Sequence, residues 1–259
     1  MKILYVGEIV AGSGRKAVNA FLPDLLREYD IDFVFSNAEN LSGGRGFIQE
    51  NIEEMTLAGI NYYTSGEHVF WQKDTEDYIE TTPILRPANY PEGTPGKGHT
   101  VIDLGSKGKI LLINLMGRTS FGGPKIYLDD PFRKADEILN IYKDEEFHAT
   151  IVDFHAEATS EKYAMSFYLD GRVTAVLGSH THVPTCDQRV LPKGTLYVTD
   201  VGMTGNIDSV LGVEKDIIIN LFLTARNQRF KWESTGTKAF RSVLLDTVEH
   251  TIFRIDKLV

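Results

Sequence analysis

The hydrophobic positions follow two spacings that alternate along the chain. Short apolar runs rich in β-branched and aromatic residues occur at 2–6, 32–36 and 60–64, and glycine and polar residues follow each run. These runs predict β-strands, and the first is expected to lead through a loop at 7–15 into a helix that continues to Leu26. Strands that alternate with helices indicate an α/β fold.

The alternation continues through the middle of the chain. Asp130 and Pro131 predict the N-cap and first turn of a helix, and the apolar residues that follow keep the spacing of one helix face. Thr159 or Ser160 is predicted to cap another helix, which stops at Gly171. Each of these helices lies between two predicted strands, which occupy residues 109–115, 150–154 and 173–177.

The last seventy residues are predicted to be rich in strands, at 194–199, 217–223 and 251–255. This change in pattern indicates a second sheet packed on the first. Residues 87–98 hold three prolines and three glycines, but strands are predicted on both sides, so we interpret them as a surface loop. A single domain over 1–259 is therefore expected.

Composition and charge exclude several classes of protein. With 42% hydrophobic and 24% charged residues, the chain has an ordinary globular composition. A net charge of −9 repels phosphate backbones, so duplex nucleic acid and anionic membranes are not expected partners. Cys186 is the only cysteine, the N-terminus turns polar at Gly7, and apolar runs are too short to cross a bilayer. These features predict a cytoplasmic protein.

Polar residues suited to chemistry follow the predicted strands. Because strand ends converge at one edge of an α/β sheet, we expect these side chains to share one cleft. Imidazoles and carboxylates are ligands for Fe, Mn or Zn, and a two-metal centre can hold a phosphoryl group. The candidates are Glu8, Glu39, Asn40, Glu67, His68, His155, His180 and His182.

Each candidate also has a simpler interpretation. His180 and His182 are predicted in an extended segment that points both rings to one side, although nearby histidines also occur by chance. Taken one at a time, the glutamates are better interpreted as ordinary side chains, with Glu8 solvated, Glu39 capping a loop and Glu67 a surface charge. Arg118 follows a predicted strand and is a candidate for phosphate binding or for a surface ion pair. The glycines at 12 and 14 suggest a tight turn rather than a phosphate loop, since no Gly-Lys-Ser/Thr follows.

The order and spacing of the candidates resemble one family. The matching segments are Gly7–Val10, Ser36–Asn40, Ser65–His68, Asp153–Lys162 and Gly178–Pro184, and the similarity continues through 199–205 and 208–210. The chain resembles the YmdB-like branch of the calcineurin-like metallophosphoesterases over essentially residues 1–225. This resemblance implies a two-sheet β-sandwich flanked by helices, within the α/β class.

The resemblance also implies an activity, metals and residue roles. It implies a phosphodiesterase that hydrolyses 2′,3′-cyclic nucleotides, with the 2′ oxygen leaving, and that uses two metal ions, usually iron or manganese. His68 would donate the proton to the leaving oxygen. One metal would be held by Glu8, Glu39, Asn40 and His182, and the other by Glu39, Glu67, His155 and His180.

Two residues depart from the family's pattern, which usually has aspartate at position 8 and asparagine at position 67. Glu8 is one methylene longer, and Glu67 adds a negative charge that weakens the attraction of the centre for phosphate. Altered metal choice and weakened activity therefore stay open. So do a metal- or nucleotide-binding regulatory protein and a phosphatase for another phosphate ester. A symmetric homo-oligomer is expected from its general frequency.

Overall fold

Apolar side chains on both faces of the central strands hold two β-sheets together between layers of helices. The computed structural model describes residues 1–119 and 127–259. The strands are β1 (Lys2–Val6), β2 (Glu8–Ile9), β3 (Phe33–Asn37), β4 (Tyr62–Thr64), β5 (His99–Asp103), β6 (Lys109–Met116), β7 (Ala149–His155), β8 (Ala175–Ser179), β9 (Arg189–Val190), β10 (Leu196–Val198), β11 (Met203–Asn206), β12 (Lys238–Asp246) and β13 (Thr251–Leu258). The helices are α1 (Ala11–Tyr29), α2 (Gln49–Leu57), α3 (Thr75–Tyr78), α4 (Pro131–Ile141), α5 (Thr159–Tyr168) and α6 (Lys215–Thr224).

Strand pairing places several carboxyl ends at one edge of the molecule. The first sheet has the order β2-β11-β12-β1-β3-β4, and β13 also pairs with β12. The second sheet has the order β5-β6-β7-β8-β10-β9. Within the first sheet β1, β3 and β4 are parallel, and within the second β6, β7 and β8 are parallel. The loops that leave these strands therefore start from shared edges.

The two-residue period of the strands divides the core into layers. In β1, Ile3 and Tyr5 face the second sheet, whereas the alternate residues Leu4 and Val6 pack under α1 and α2. In β6 the residues at 110 and 112 face the first sheet, and those at 111 and 113 pack under α4 and α5. Burial on both faces explains why these strands appear in the sequence as continuous apolar runs.

Two sequence predictions about the last part of the chain are wrong: the strand at 217–223, and the assignment of the last strands to the second sheet. Residues 217–223 form most of α6 rather than a strand. A short apolar run does not distinguish a strand from a helix by its pattern, and here only Ile218 is buried within the helix. The C-terminal strands β12 and β13 complete the first sheet, whereas the second sheet is built from strands between 99 and 198. Strand β12 pairs antiparallel with β1, so the hairpin of β12 and β13 lies beside the N-terminal strand.

Helix starts were predicted with mixed success. Asp130 caps α4 as predicted, because its side chain accepts hydrogen bonds from the backbone N–H groups of Phe132 and Arg133. The cap of α5 is Ala158, not Thr159 or Ser160, and its side chain makes no capping bond. Helix α1 starts at Ala11, so the turn predicted at 12–15 is wrong. In the described residues no helix combines the length and apolarity needed to cross a bilayer.

Gly14 allows α1 to pack directly against β11. A Cβ atom at Gly14 would lie 2.4 Å from the Thr204 carbonyl oxygen, whereas one at Gly12 would lie 3.9 Å from its nearest neighbour, the Arg15 guanidinium. We expect Gly14→Ala to lower the free energy of unfolding by about 1–3 kcal/mol through overpacking. Gly12→Ala, in the same helical turn, should be neutral or stabilising. Urea unfolding of both variants measures the difference, and equal effects would contradict the close approach.

Candidate metal centre

Loops at the carboxyl ends of strands from both sheets bring the candidate side chains to one rim of the sandwich. Glu8 lies in β2, and Glu39 and Asn40 follow β3, all in the first sheet. Glu67 and His68 follow β4 of the same sheet. His155 ends β7, and His180 and His182 follow β8, in the second sheet. The three candidate carboxylate ligands thus come from one sheet and the three candidate imidazole ligands from the other.

Four of these residues form a tight cluster. Glu39, Glu67, His155 and His180 each offer one ligand atom, and these atoms all lie within 4.8 Å of one another. His155 Nε2 lies 2.8 Å from Glu67 Oε2 and 3.3 Å from Glu39 Oε2. His180 Nδ1 lies 3.3 Å from Glu67 Oε1. These four are the residues that the resemblance implied for one of the two metals.

A second group lies on the other side of Glu39. His182 Nε2 lies 2.7 Å from Glu8 Oε1, and the Asn40 amide nitrogen contacts the same oxygen. That amide nitrogen also lies 3.2 Å from Glu39 Oε1, so Glu39 contacts both groups. The nitrogen of the Asn40 amide cannot bind a metal, and its oxygen accepts a hydrogen bond from His68 Nδ1 at 2.9 Å. A ligand role for Asn40 therefore stays a prediction.

The segment that carries His180 and His182 is not extended, contrary to the sequence prediction. The φ angles of His180 and His182 are 104° and 64°, in a region that non-glycine residues rarely adopt. The two rings consequently approach different groups, His180 near Glu67 and His182 near Glu8. Such backbone strain persists only where surrounding contacts hold it, and it is often found at functional sites.

His155, His180 and His182 each point one ring nitrogen toward the carboxylates, and the other ring nitrogen contacts a second polar group. His155 Nδ1 lies 2.9 Å from Ser179 Oγ, and that hydroxyl donates to Asp153 at 2.8 Å. His180 Nε2 lies 2.9 Å from a Glu157 carboxylate oxygen, and His182 Nδ1 lies 3.2 Å from the Leu211 carbonyl oxygen. Metal-binding histidines are typically oriented in this way.

Burial and mutual repulsion shift the ionisation of the clustered groups. Burial and the neighbouring carboxylate of Glu67 raise the pKa of Glu39 to about 8. Burial opposes ionisation of Glu8, but the adjacent His182 ring lowers the pKa of this carboxyl group to about 2. Burial lowers the pKa of His68 to about 4, against the field of Glu67. Three carboxylates in one buried rim need positive charge nearby.

The donor set fits one or more metal ions. The Glu8 Oε2 oxygen is buried and has no hydrogen-bond partner among the described residues. Leaving a buried carboxylate oxygen unpaired is costly, and a cation at this position would satisfy it. The ligand atoms are carboxylate oxygens and imidazole nitrogens, which suit Fe, Mn and Zn.

A buried ion pair supports the histidine segment and was not predicted from the sequence. Lys162 Nζ lies 2.7 Å from Asp200 Oδ2, and both side chains are almost completely buried. Asp200 also accepts hydrogen bonds from the backbone N–H and hydroxyl of Thr181, which lies between the two histidines. The sequence does contain one signal of this ion pair. Lys162 lies at helical spacing from Met165 and Leu169, which places a charged residue on the buried face of α5.

Two other predicted residues lie at the edge of this arrangement. The ring of His68 packs on that of Trp71, with their centroids 3.9 Å apart. Arg118 is half-exposed and forms an ion pair with Asp130 at 3.2 Å, which matches the surface-pair alternative. Its role in phosphate binding stays a prediction.

A cavity of about 500 Å³ opens beside the cluster. Its lining includes the polar residues Glu39, Glu67 and His68. Its apolar lining residues all come from the segment between positions 210 and 232 and form an apolar wall, which includes Leu211, Val213, Ile218, Phe222, Phe230 and Trp232. Sequence analysis missed this wall, because residues 217–223 were assigned to a strand.

Similarity to known proteins identifies the family. The family described as YmdB-like protein matches residues 4–257. The chain belongs to this family. It is 42% identical over 252 residues to a Bacillus subtilis protein named 2′,3′-cyclic-nucleotide 2′-phosphodiesterase, covering 97% of this chain and 93% of that protein.

Solved structures show the fold of this YmdB-like chain. A hypothetical protein from Thermus thermophilus is 39% identical with a TM-score of 0.89, covering 100% of this chain and 99% of that one. A phosphatase from Mycoplasma pneumoniae is 33% identical with a TM-score of 0.87, covering 100% and 92%. A 5′-nucleotidase precursor, also from Thermus thermophilus (13% identical, TM-score 0.55, covering 100% and 54%), shares the fold alone. The calcineurin-like metallophosphoesterase fold is confirmed.

Ser179 is expected to position His155 for metal binding. Ser179→Ala removes the hydroxyl that links the His155 ring to Asp153. Loss of such a partner typically lowers metal affinity about 10–100-fold, and we expect this range for Mn²⁺ measured by titration calorimetry. Ser242→Ala is the matched control, because this buried serine donates to the Ile255 carbonyl oxygen in β13. Equal Mn²⁺ affinities in the two variants would contradict the role of Ser179.

Proposed function

We propose that this protein hydrolyses 2′,3′-cyclic nucleotides to nucleoside 3′-phosphates. The observation that carries the proposal is the position of Glu39, which contacts both groups of candidate ligands at one cavity. The similarity to a phosphodiesterase for these nucleotides supports the choice of substrate. A phosphatase for another ester is the second candidate, because a related structure is named a phosphatase.

We further propose two metal ions, iron or manganese, on either side of Glu39. Glu67, His155 and His180 would hold one ion together with Glu39, and the cluster they form supports this assignment. Glu8, Asn40 and His182 would hold the other, with the unpaired Glu8 oxygen as a ligand atom. When bound, such ions polarise a phosphoryl oxygen and activate water. Their positive charge would also offset the negative charge of the three glutamates.

We propose that His68 delivers the proton that the reaction needs. Hydrolysis forms a bond between a water oxygen and phosphorus and breaks the bond from phosphorus to the 2′ oxygen, which must take up a proton. His68 lines the cavity, and its Nδ1 is held by the Asn40 side-chain oxygen. The ring can then give a proton from Nε2 only when both nitrogens are protonated, a form that the negative charge of a bound phosphate would favour. Packing on Trp71 restricts the orientation of the ring.

Other parts of the sequence-based prediction are not decided by this site. The single domain over 1–259, the cytoplasmic location and the homo-oligomer stay predictions. A small phosphate ester as the partner of the site is supported by the relatives named phosphodiesterase and phosphatase.

Substitutions of Glu39 and His68 are expected to impair the enzyme in different ways. Glu39→Gln keeps the side chain's shape but removes the charge shared by both groups, so metal and activity should be lost together. His68→Ala should keep its metal and lose about 10²–10⁴-fold in turnover, the usual contribution of general acid catalysis. Metal analysis and hydrolysis of 2′,3′-cyclic AMP measure both variants. Equal metal loss in the two would refute this division of roles.

Glu8 and Glu67 are expected to limit the rate of this enzyme. The double change Glu8→Asp with Glu67→Asn should raise the turnover of 2′,3′-cyclic AMP, because one fewer negative charge faces the phosphate. Two single variants separate the causes: Glu67→Gln removes the charge at constant length, and Glu8→Asp shortens the side chain at constant charge. Rates are compared at matched, verified metal occupancy. An unchanged or lower rate in the fully metallated double variant would show that these glutamates do not limit turnover.

A further inference from the structure

The cavity beside the cluster has two chemically different halves. Its polar half contains the carboxylates and imidazoles, and its apolar half is the wall formed by residues 210–232. A volume of about 500 Å³ lies within the range of small-ligand pockets, and it exceeds what a phosphate group alone needs. A ligand that fills it must therefore combine a phosphate with an uncharged, apolar part.

Part of the apolar wall is exposed to solvent, where a bound ligand could cover it. Phe222 is 82% exposed although it lines the cavity, and Leu211 and Phe230 are also exposed. Exposed aromatic side chains beside a polar cluster are typical of ligand-binding surfaces. Phe222 and Phe230 present aromatic rings, and rings of this kind bind flat heterocycles by stacking.

Backbone geometry ties the wall to the cluster. Leu211 has a φ of 52°, an uncommon conformation for a branched residue, and its carbonyl oxygen accepts the hydrogen bond from His182 Nδ1. Next to it, Gly212 has a φ of 97°, and a Cβ atom there would collide with Val10. Trp232 packs over Gly44, where a Cβ atom would lie 2.0 Å from its ring. The wall therefore keeps a defined position relative to His182.

We propose that the apolar wall is the nucleobase subsite of this enzyme, with Leu211, Phe222 and Phe230 as its contact surface. The proposal rests on the proposed function, since it assumes that the phosphate lies at the polar half of the cavity. The ribose then spans the distance between the two halves, and the base stacks on the aromatic rings. Because this recognition depends on ring area, a purine should bind more tightly than a pyrimidine.

Two neighbouring residues of α6 provide a matched test. Phe222 and Leu223 are 82% and 79% exposed, but Phe222 lines the cavity and Leu223 is not among its lining residues. We expect Phe222→Ala to lower kcat/KM for 2′,3′-cyclic AMP about five- to ten-fold, mainly through KM. Leu223→Ala should stay within about twofold of the natural protein. Both variants should hydrolyse glycerol 1,2-cyclic phosphate, which has no base, as the natural protein does.

A binding measurement separates this proposal from the proposed function. Adenosine carries the base and the ribose but no phosphate, so its affinity, measured by equilibrium dialysis, does not depend on hydrolysis. Phe222→Ala should weaken adenosine binding by a similar factor, whereas Leu223→Ala should not. If the natural protein hydrolyses neither cyclic ester but binds adenosine through Phe222, the proposed function fails and the subsite stands.

Two other results would overturn the subsite. Equal loss of activity on the base-free ester and on 2′,3′-cyclic AMP in Phe222→Ala would assign Phe222 to the structure of the site rather than to the base. A change of oligomeric state in both Phe222→Ala and Leu223→Ala, measured by light scattering, with unchanged adenosine binding, would assign this face of α6 to contact between copies of the chain.

Discussion

The rest of the structure depends on the close approach of three carboxylates, two of them buried, at one rim of the sandwich. Glu8 lies in β2 and Glu39 and Glu67 follow β3 and β4, all in the first sheet, and like charges this close raise one another's free energy. Opposing cationic or metal-binding groups must therefore face them, and His155 and the histidines after β8 reach them from the second sheet. Face-to-face packing of the sheets is thus a requirement of the chemistry as well as of the core.

The parts of this arrangement that could be predicted are local in the sequence. Strand β1 and the cap at Asp130 follow from short-range apolar spacing and side-chain chemistry, and both are confirmed. The convergence of Glu8, Glu39 and His155 could be expected because each follows a strand whose end meets the others at one edge. The roles of these residues came from resemblance to a family, since spacing alone does not separate a ligand from a solvated side chain.

The parts that could not be predicted depend on contacts between distant residues. The ion pair of Lys162 with Asp200 joins α5 to the loop after β10, and neither residue signals the other in the sequence. The ring of His182 is oriented by the Leu211 carbonyl oxygen, which lies on a separate segment. Helix α6 is apolar at consecutive positions, and only three of its residues, Ile218, Leu221 and Phe222, line the cavity. Secondary-structure propensity carries no information about the ion pair, the His182 contact or the cavity lining.

Electrostatics also orders the events at the site. The chain carries a net charge of −9, and Glu8, Glu39 and Glu67 would repel a phosphate ester that arrived before any cation. Cation and phosphate therefore favour each other's binding, and this coupling is reciprocal by thermodynamic necessity. The proposed nucleobase contact involves no charge, so it does not depend on the coupling between cation and phosphate binding. A site divided between charged and apolar halves can thus hold the base by contact area while the affinity for phosphate varies with metal occupancy.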